Sequence, residues 1–252
     1  MTTTAQTVSN NKPRPVWQLF FGIVDQPAAT FQTIAVQSTG SMWAAPLIGV
    51  ILCFAVLIIV QTPYNLELAR EQMESQLASL PAEQGGAARA GMEMTMTMPF
   101  MLATGLGFGI VTLLLGILAQ AVFLYFSALV SGGEMTFGSI FRMSAWTSMP
   151  FAIGFLAQAG FMAFAQRMIQ YPGLAYLVAT GELIQDARNP MFVLLGRIDL
   201  FWLWHMLLVM LGLSVVARFG RGKSLALTFV YAVLSLTLLV LPTFLFGGMM
   251  GS

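Results

Sequence analysis

Few residues in this chain have the types and spacing to do chemistry, and they fall in two places. Asp199, Trp202, Trp204 and His205 sit together at one end of an apolar run. An ionisable residue inside a membrane-length segment is by default a functional candidate, and a carboxylate with an imidazole could relay a proton. Asp199 stands at the edge of the run, within reach of water, and His205 lies roughly 10 Å deeper by helical rise. Their spacing is about 600° of helical rotation, so the two side chains leave the helix on different faces. The alternative for His205 is a hydrogen bond to a neighbouring helix. The second place is a methionine run, in which Met92, Met94, Met96 and Met98 alternate and Met101 lies just beyond. Thioethers are soft ligands that suit Cu(I). Yet no His or Cys is near, and alternation divides the four between two helix faces unless the segment is extended. An ordinary methionine-rich helix start therefore competes with copper binding.

Other catalytic arrangements are absent from the sequence. There is no G-x-S-x-G, no H-E-x-x-H and no pair of carboxylates within an apolar run. Gly222-Lys223-Ser224 resembles the end of a phosphate-binding loop, but Ala217 stands where that loop needs its first glycine. Cys53 is the one cysteine, so no intrachain disulfide forms, and one His with one Cys makes a structural zinc site untenable. No basic patch interleaved with aromatic residues points to nucleic acid. We expect no cofactor and no enzymatic activity.

The elements that would position these residues are set by charge. The 11 basic and 10 acidic residues leave charge-free stretches at 26–66, 94–133, 143–166, 200–217 and 224–252. About 20 apolar residues in a helix cross a hydrocarbon core of about 30 Å. With 58% hydrophobic and 8% charged residues, against about 25% charged in a soluble domain, the chain reads as an all-α polytopic membrane helix bundle. We expect five transmembrane helices, at about 43–60, 99–130, 145–166, 200–217 and 224–246, in one membrane domain over 39–252. Pro150 is a kink near one end of the third. Between the first two spans, a separate polar helix is expected over 66–80, where Glu67, Leu68, Ala69, Arg70 and Glu71 are good helix formers.

Residues 1–12 are rich in Thr, Asn and Gln and read as a disordered tail. Over 13–38, Trp17, Phe20, Phe21, Val24, Phe31, Ile34 and Ala35 form one helical stripe interrupted near Pro27. Two short amphipathic helices lying in the membrane interface fit this pattern, as does packing on the protein's own surface. The apolar run after Lys12 and Arg14 is too short and too poorly followed for a cleaved signal peptide, so we expect the segment to be retained. On the second span, Gly105, Gly109, Thr112 and Gly116 recur at helical spacing. Small residues let helix backbones approach closely, within one chain or in a homodimer.

Order and sequence together show a resemblance. Asp25-Gln26-Pro27-Ala28-Ala29-Thr30-Phe31-Gln32-Thr33-Ile34 precedes the first span. Gly132-Gly133-Glu134-Met135-Thr136-Phe137 leads through Arg142-Met143-Ser144-Ala145-Trp146-Thr147-Ser148-Met149-Pro150 into the third. Ile198-Asp199-Leu200-Phe201-Trp202-Leu203-Trp204 opens the fourth, and Gly222-Lys223-Ser224 the fifth. Over roughly 18–245 the chain resembles the Yip domain family, prokaryotic branch. The resemblance implies five spans, a cytoplasmic N-terminus and, for eukaryotic members, binding to prenylated Rab GTPases. Asp25-Gln26-Pro27 departs from the eukaryotic Asp-Leu-x-Gly-Pro, and Trp146 to Pro150 keeps only the proline of the Gly-Tyr motif, which argues against carrying a Rab-type role over. For prokaryotic members the family implies no defined biochemical role.

The expectation is a membrane scaffold or adaptor that organises membrane or docks a partner at its cytoplasmic face, the alternative being a small transporter or transporter subunit. Its partners would be the bilayer, anionic lipid headgroups through Arg142, Arg218, Arg221 and Lys223, or a protein. Localisation would be the inner (plasma) membrane, N-terminus inside and C-terminus outside. That orientation rests on the density of Arg218, Arg221 and Lys223 in one short turn, against arginines spread thinly over the long loops. Reporter fusions after Ser79 and Gly251 should report outside, and a fusion after Gly220 inside; a cytoplasmic C-terminus would exclude five crossings in this orientation.

Overall fold

The structure is a computed structural model and describes residues 15–37, 39, 41–79, 93 and 95–246. The expected tail 1–12, with Lys12, Arg14, Met92 and Met94, lies outside the described residues. Among the described residues every regular element is a helix.

Helix α1, Val16–Asp25, stops at Gln26, and α2, Pro27–Val36, begins with the proline in its first turn, where a missing N–H leaves nothing unpaired. The apolar stripe divides between two environments. Leu19, Ile23, Phe31 and Ile34 are at most 1% exposed and pack into the protein, while Trp17, Phe21 and Val24 remain exposed. These helices therefore pack on the protein's own surface and still present an apolar outer side.

Helix α3, Ser41–Ser79, runs unbroken through Pro63. This corrects the expectation of a span ending near residue 60 and a separate polar helix beyond it. Thr62 Oγ1 bonds back to Ile58 O at 2.6 Å on the turn that the proline disturbs. The helix formers from Glu67 onward then propagate the helix. The Tyr64 hydroxyl donates to Met162 O at 3.1 Å and ties α3 to the far end of the third span.

Helix α4 is Met98–Val130. The third crossing comprises α5, Phe137–Thr147, and α6, Met149–Ala165. It starts earlier than the expected 145, because the Thr136 hydroxyl caps it by accepting from Ser139 N at 3.2 Å. Arg142, the charge that marked the expected boundary, is half-buried and held by a bond from its Nε to Ile34 O at 3.2 Å. After a 3₁₀ turn at Ala175–Leu177 come α7, Leu183–Arg188, α8, Pro190–Arg197, α9, Leu200–Val216, and α10, Arg221–Phe246. At 17 residues, α9 is about 25 Å long, short for a crossing. The expected span 200–217 corresponds to α9, which α8 adjoins at a 63° bend, so the pair forms a broken span or a re-entrant segment. With Ser41–Glu74, Met98–Val130, Phe137–Ala165 and Arg221–Thr243, the described residues hold four helices long and apolar enough to cross a membrane, or five counting the bent pair.

The core gathers at one end of the bundle. There the buried faces of α1 and α2 meet Ile140, Met143 and Trp146 of α5 and Leu208 and Leu213 of α9. Trp146 is fully buried; its Nε1 donates to Met42 O at 2.7 Å, and Phe20 packs on it with ring centroids 5.0 Å apart. At this end Lys223 Nζ donates to Ser131 O at 2.7 Å, joining the start of α10 to the end of α4.

The loop before α7 is organised by Asp186, whose Oδ1 accepts from Thr180 N at 2.8 Å and Thr180 Oγ1 at 2.9 Å. Its Oδ2 accepts from Gly181 N at 3.3 Å. The Thr180 peptide N–H, helped by the Thr180 hydroxyl and Gly181 N–H, holds this carboxyl below the usual aspartate range, although burial acts the other way. A carboxyl lowered by native contacts stabilises the fold above its unfolded pKa, and that contribution is lost as pH falls through the lowered value. The Thr180 and Gly181 amide resonances should therefore titrate with a midpoint under about 3.9, the unperturbed aspartate value. Asp186→Asn should remove this titration and loosen the loop at neutral pH; a midpoint at or above the unperturbed value would overturn the assignment.

Candidate functional site

Pro150 has no N–H to offer Trp146 O, so α5 ends and α6 begins at Ser148, within the third crossing. In hydrocarbon a freed carbonyl costs several kcal/mol unless protein satisfies it. Here the Ser148 N–H turns to Trp146 O, and Phe151 N bonds Ser148 O at 3.0 Å, which leaves Thr147 O to be met from a neighbouring helix. His205 Nδ1 of α9 lies 2.6 Å from Thr147 O; a carbonyl only accepts, so Nδ1 carries the hydrogen. Gln120 Nε2 of α4 donates to Thr147 Oγ1 at 3.0 Å, and that hydroxyl donates to Ser144 O at 3.0 Å. Ser148 Oγ donates to Ala145 O at 2.6 Å. His205 and Gln120 are 1% and 4% exposed, so bulk water does not serve these groups.

Asp199 and His205 do not meet. Asp199 Oδ1 accepts from Trp202 N at 2.7 Å and caps α9, while the Trp202 side chain is buried. Each of these polar groups holds a backbone group rather than forming a path between the two.

Beside the break lies a cavity of about 690 Å³ between α3, α4, α6 and α10. Apolar side chains such as Val50, Phe54, Leu113 and Phe155 form most of its wall. Gln120, Ser148, Arg197 and Tyr231 bring polar atoms to it. The Arg197 guanidinium stands 4.9 Å from the centre of the Phe151 ring. Phe151 in turn lies 4.7 Å from the His205 ring, and His205 6.2 Å from Tyr231. Phe151 is midway along Phe137–Ala165 and Tyr231 close to midway along Arg221–Thr243, so this cluster sits at the middle depth of the bundle.

The glycines of α4 divide. An added Cβ at Gly109 would strike the Phe54 ring, and one at Gly105 would lie 3.2 Å from Ile58 Cγ2, so both pack α4 against α3. Gly116 has nothing within 4 Å of such a Cβ and lines the cavity.

The basic candidates divide too. Arg142 and Lys223 donate to Ile34 O and Ser131 O, and Lys223 also sits 4.8 Å over the Phe219 ring. Arg218 and Arg221 are exposed. Arg218 has φ 55, a left-handed conformation that glycine adopts more easily, and lines a groove of about 420 Å³ with Gln32, Val36 and Glu134.

Sequence reasoning passed over Gln120, Thr147, Arg197 and Tyr231. Gln120 had a signal, an amide within a long apolar span, but nothing told which helix it faced. Arg197 counted only as a loop charge. Among the described residues no three His, Cys, Asp or Glu side chains are grouped to hold a metal ion.

A bundle of membrane-length helices with a broken crossing satisfied from within is a multi-pass membrane protein. The Yip1 domain model matches residues 21–243, and the chain belongs to that family. No curated protein and no solved structure matches it.

Gly109→Leu should lower stability in detergent by about 1–3 kcal/mol, as overpacking does, because Phe54 must move. Gly107→Leu, at a site with nothing within 4 Å, should leave the melting temperature unchanged. Equal melting of both variants and the parent would show that α4 does not press on α3 here.

Proposed function

We propose that this protein is a non-enzymatic scaffold or adaptor of the plasma membrane. It docks a partner at the face built by α1, α2 and the turn between α9 and α10, and that face is cytoplasmic. The observation that carries this reading is the division of the basic residues. Arg142 and the exposed Lys223 hold backbone carbonyls, whereas the exposed Arg218, beside α2, and Arg221, at the start of α10, hold none among the described residues. Arg218 does so from a left-handed backbone position; strain of this kind motivates a functional hypothesis. The exposed Trp17, Phe21 and Val24 add an apolar outer side to α1. An acidic protein or an anionic headgroup layer complements such a face, at about 1 kcal/mol per basic residue near the surface.

A second reading, a small transporter or transporter subunit, is favoured by the mid-depth cavity. Partner recovery from mild detergent separates the two. With topology first confirmed, the double variant Arg218→Gln, Arg221→Gln should lose about tenfold or more of a co-purifying partner, from about 1 kcal/mol per charge. Arg142→Gln should instead lower stability through the lost bond to Ile34 O. Unchanged recovery in the double variant would leave Arg218 and Arg221 as topology signals and turn attention to the cavity.

A further inference from the structure

Arg197 is the residue that neither the packing nor the docking face explains. Among the described residues its guanidinium makes no hydrogen bond and no ion pair within 4 Å; it lies over the face of Phe151 and is attracted at longer range by Asp199 and Tyr231. Asp199, the nearest carboxylate in sequence, gives Oδ1 to Trp202 N and attracts Arg197 without closing an ion pair. The Tyr231 hydroxyl, on the same wall, has no hydrogen-bond partner among the described residues either. A cation at mid-membrane depth faces a cavity or pairs with an anion, because hydrocarbon solvates it poorly. Arg197 faces the cavity, and Tyr231 brings a donor O–H beside it.

The shape of the cavity describes the rest of the ligand. Away from Arg197 its wall is apolar, and at its rim Phe108 is 76% and Leu238 58% exposed. Both rim residues belong to outer faces of α4 and α10 that carry exposed apolar side chains such as Val111, Leu115, Val230 and Val233. In a membrane these faces meet acyl chains, so the cavity opens sideways to lipid. A volume of about 690 Å³ is in the range of small-molecule sites, about 300–1,000 Å³.

We propose that this cavity binds an anionic amphiphile. Its carboxylate or phosphate is held by Arg197 and the Tyr231 hydroxyl, and its hydrocarbon chain runs along Phe54, Leu113 and Phe155 toward the rim at Phe108. The binding is non-covalent, and the ligand enters laterally from the bilayer. This goes beyond the docking face and does not rest on it, since the cavity and Arg218 share no lining residue.

Native mass spectrometry of the full chain in mild detergent tests it. The probes are oleate against oleyl alcohol, and dioleoyl phosphatidylglycerol against dioleoylglycerol. The parent should bind at least one anionic probe about tenfold or more tightly than its uncharged counterpart, the scale of a charge-assisted hydrogen bond. Preference for oleate assigns a free fatty acid, and preference for the phosphatidylglycerol a membrane phospholipid; either supports the proposal. Arg197→Gln should abolish the preference while Arg188→Gln, an exposed arginine outside both the cavity and the docking face, keeps it. Gly116→Leu, which adds bulk where a Cβ meets nothing within 4 Å, should block both anionic probes without changing the melting temperature. If the parent binds charged and uncharged probes equally, the proposal fails, whatever happens to the variants. It fails also if the preference survives Arg197→Gln, or if Gly116→Leu leaves anionic binding unchanged.

Discussion

A helix broken at the middle of a membrane needs partners for the carbonyls it releases, and this fold is arranged around providing them. Pro150 breaks the third crossing, and at the break His205 from α9 meets the Thr147 carbonyl while Gln120 from α4 donates to the Thr147 hydroxyl. Four helical segments are thereby held at one depth by directional bonds rather than by apolar contact alone. That distinction matters in lipid, where acyl chains are as apolar as leucine and exclude no water between helices. His205 acts here as a structural donor, and its burial is the condition for the bond's strength.

The break also shapes what surrounds it. Ending α5 at Thr147 brings Trp146 to Met42 O and Phe20, which seats α1 on the bundle. Beginning α6 at Met149 places Phe151 between His205 and Arg197. One end of the molecule is consequently dense, closed by α1, α2 and α5. The middle, where α4 and α10 approach at Phe123 and Tyr231 with ring centroids 6.0 Å apart, keeps a cavity. A dense end and an open middle suit a protein that presents a surface on one side and admits a lipid-like molecule from another.

Much of the architecture was legible in the chain. Charge-free runs longer than a bilayer determine where helices cross, since each charge inside hydrocarbon is costly. Pro27 determines the joint between α1 and α2, because a proline fits a first turn and little else in a helix. The limits of the elements were less legible. Helix α3 passed Pro63, and α5 began at Phe137 rather than beyond Arg142. Whether a proline is bridged or a charge is taken up depends on bonds to Ile58 O and Ile34 O, the second from a segment far away in sequence.

The sequence by itself determined a membrane-spanning helical protein, its family rhythm and its lack of familiar catalytic motifs. Those properties follow from composition and local spacing. Tertiary structure decided what the polar residues do. It turned His205 and Gln120 to the same broken turn and Asp199 to its own helix end. It settled Arg142 and Lys223 on carbonyls and left Arg218 and Arg221 in the open. It carried Arg197, an ordinary loop charge by position, over the ring of Phe151 at the wall of a cavity. Periodicity names the face of a helix, but only packing says which neighbour that face meets.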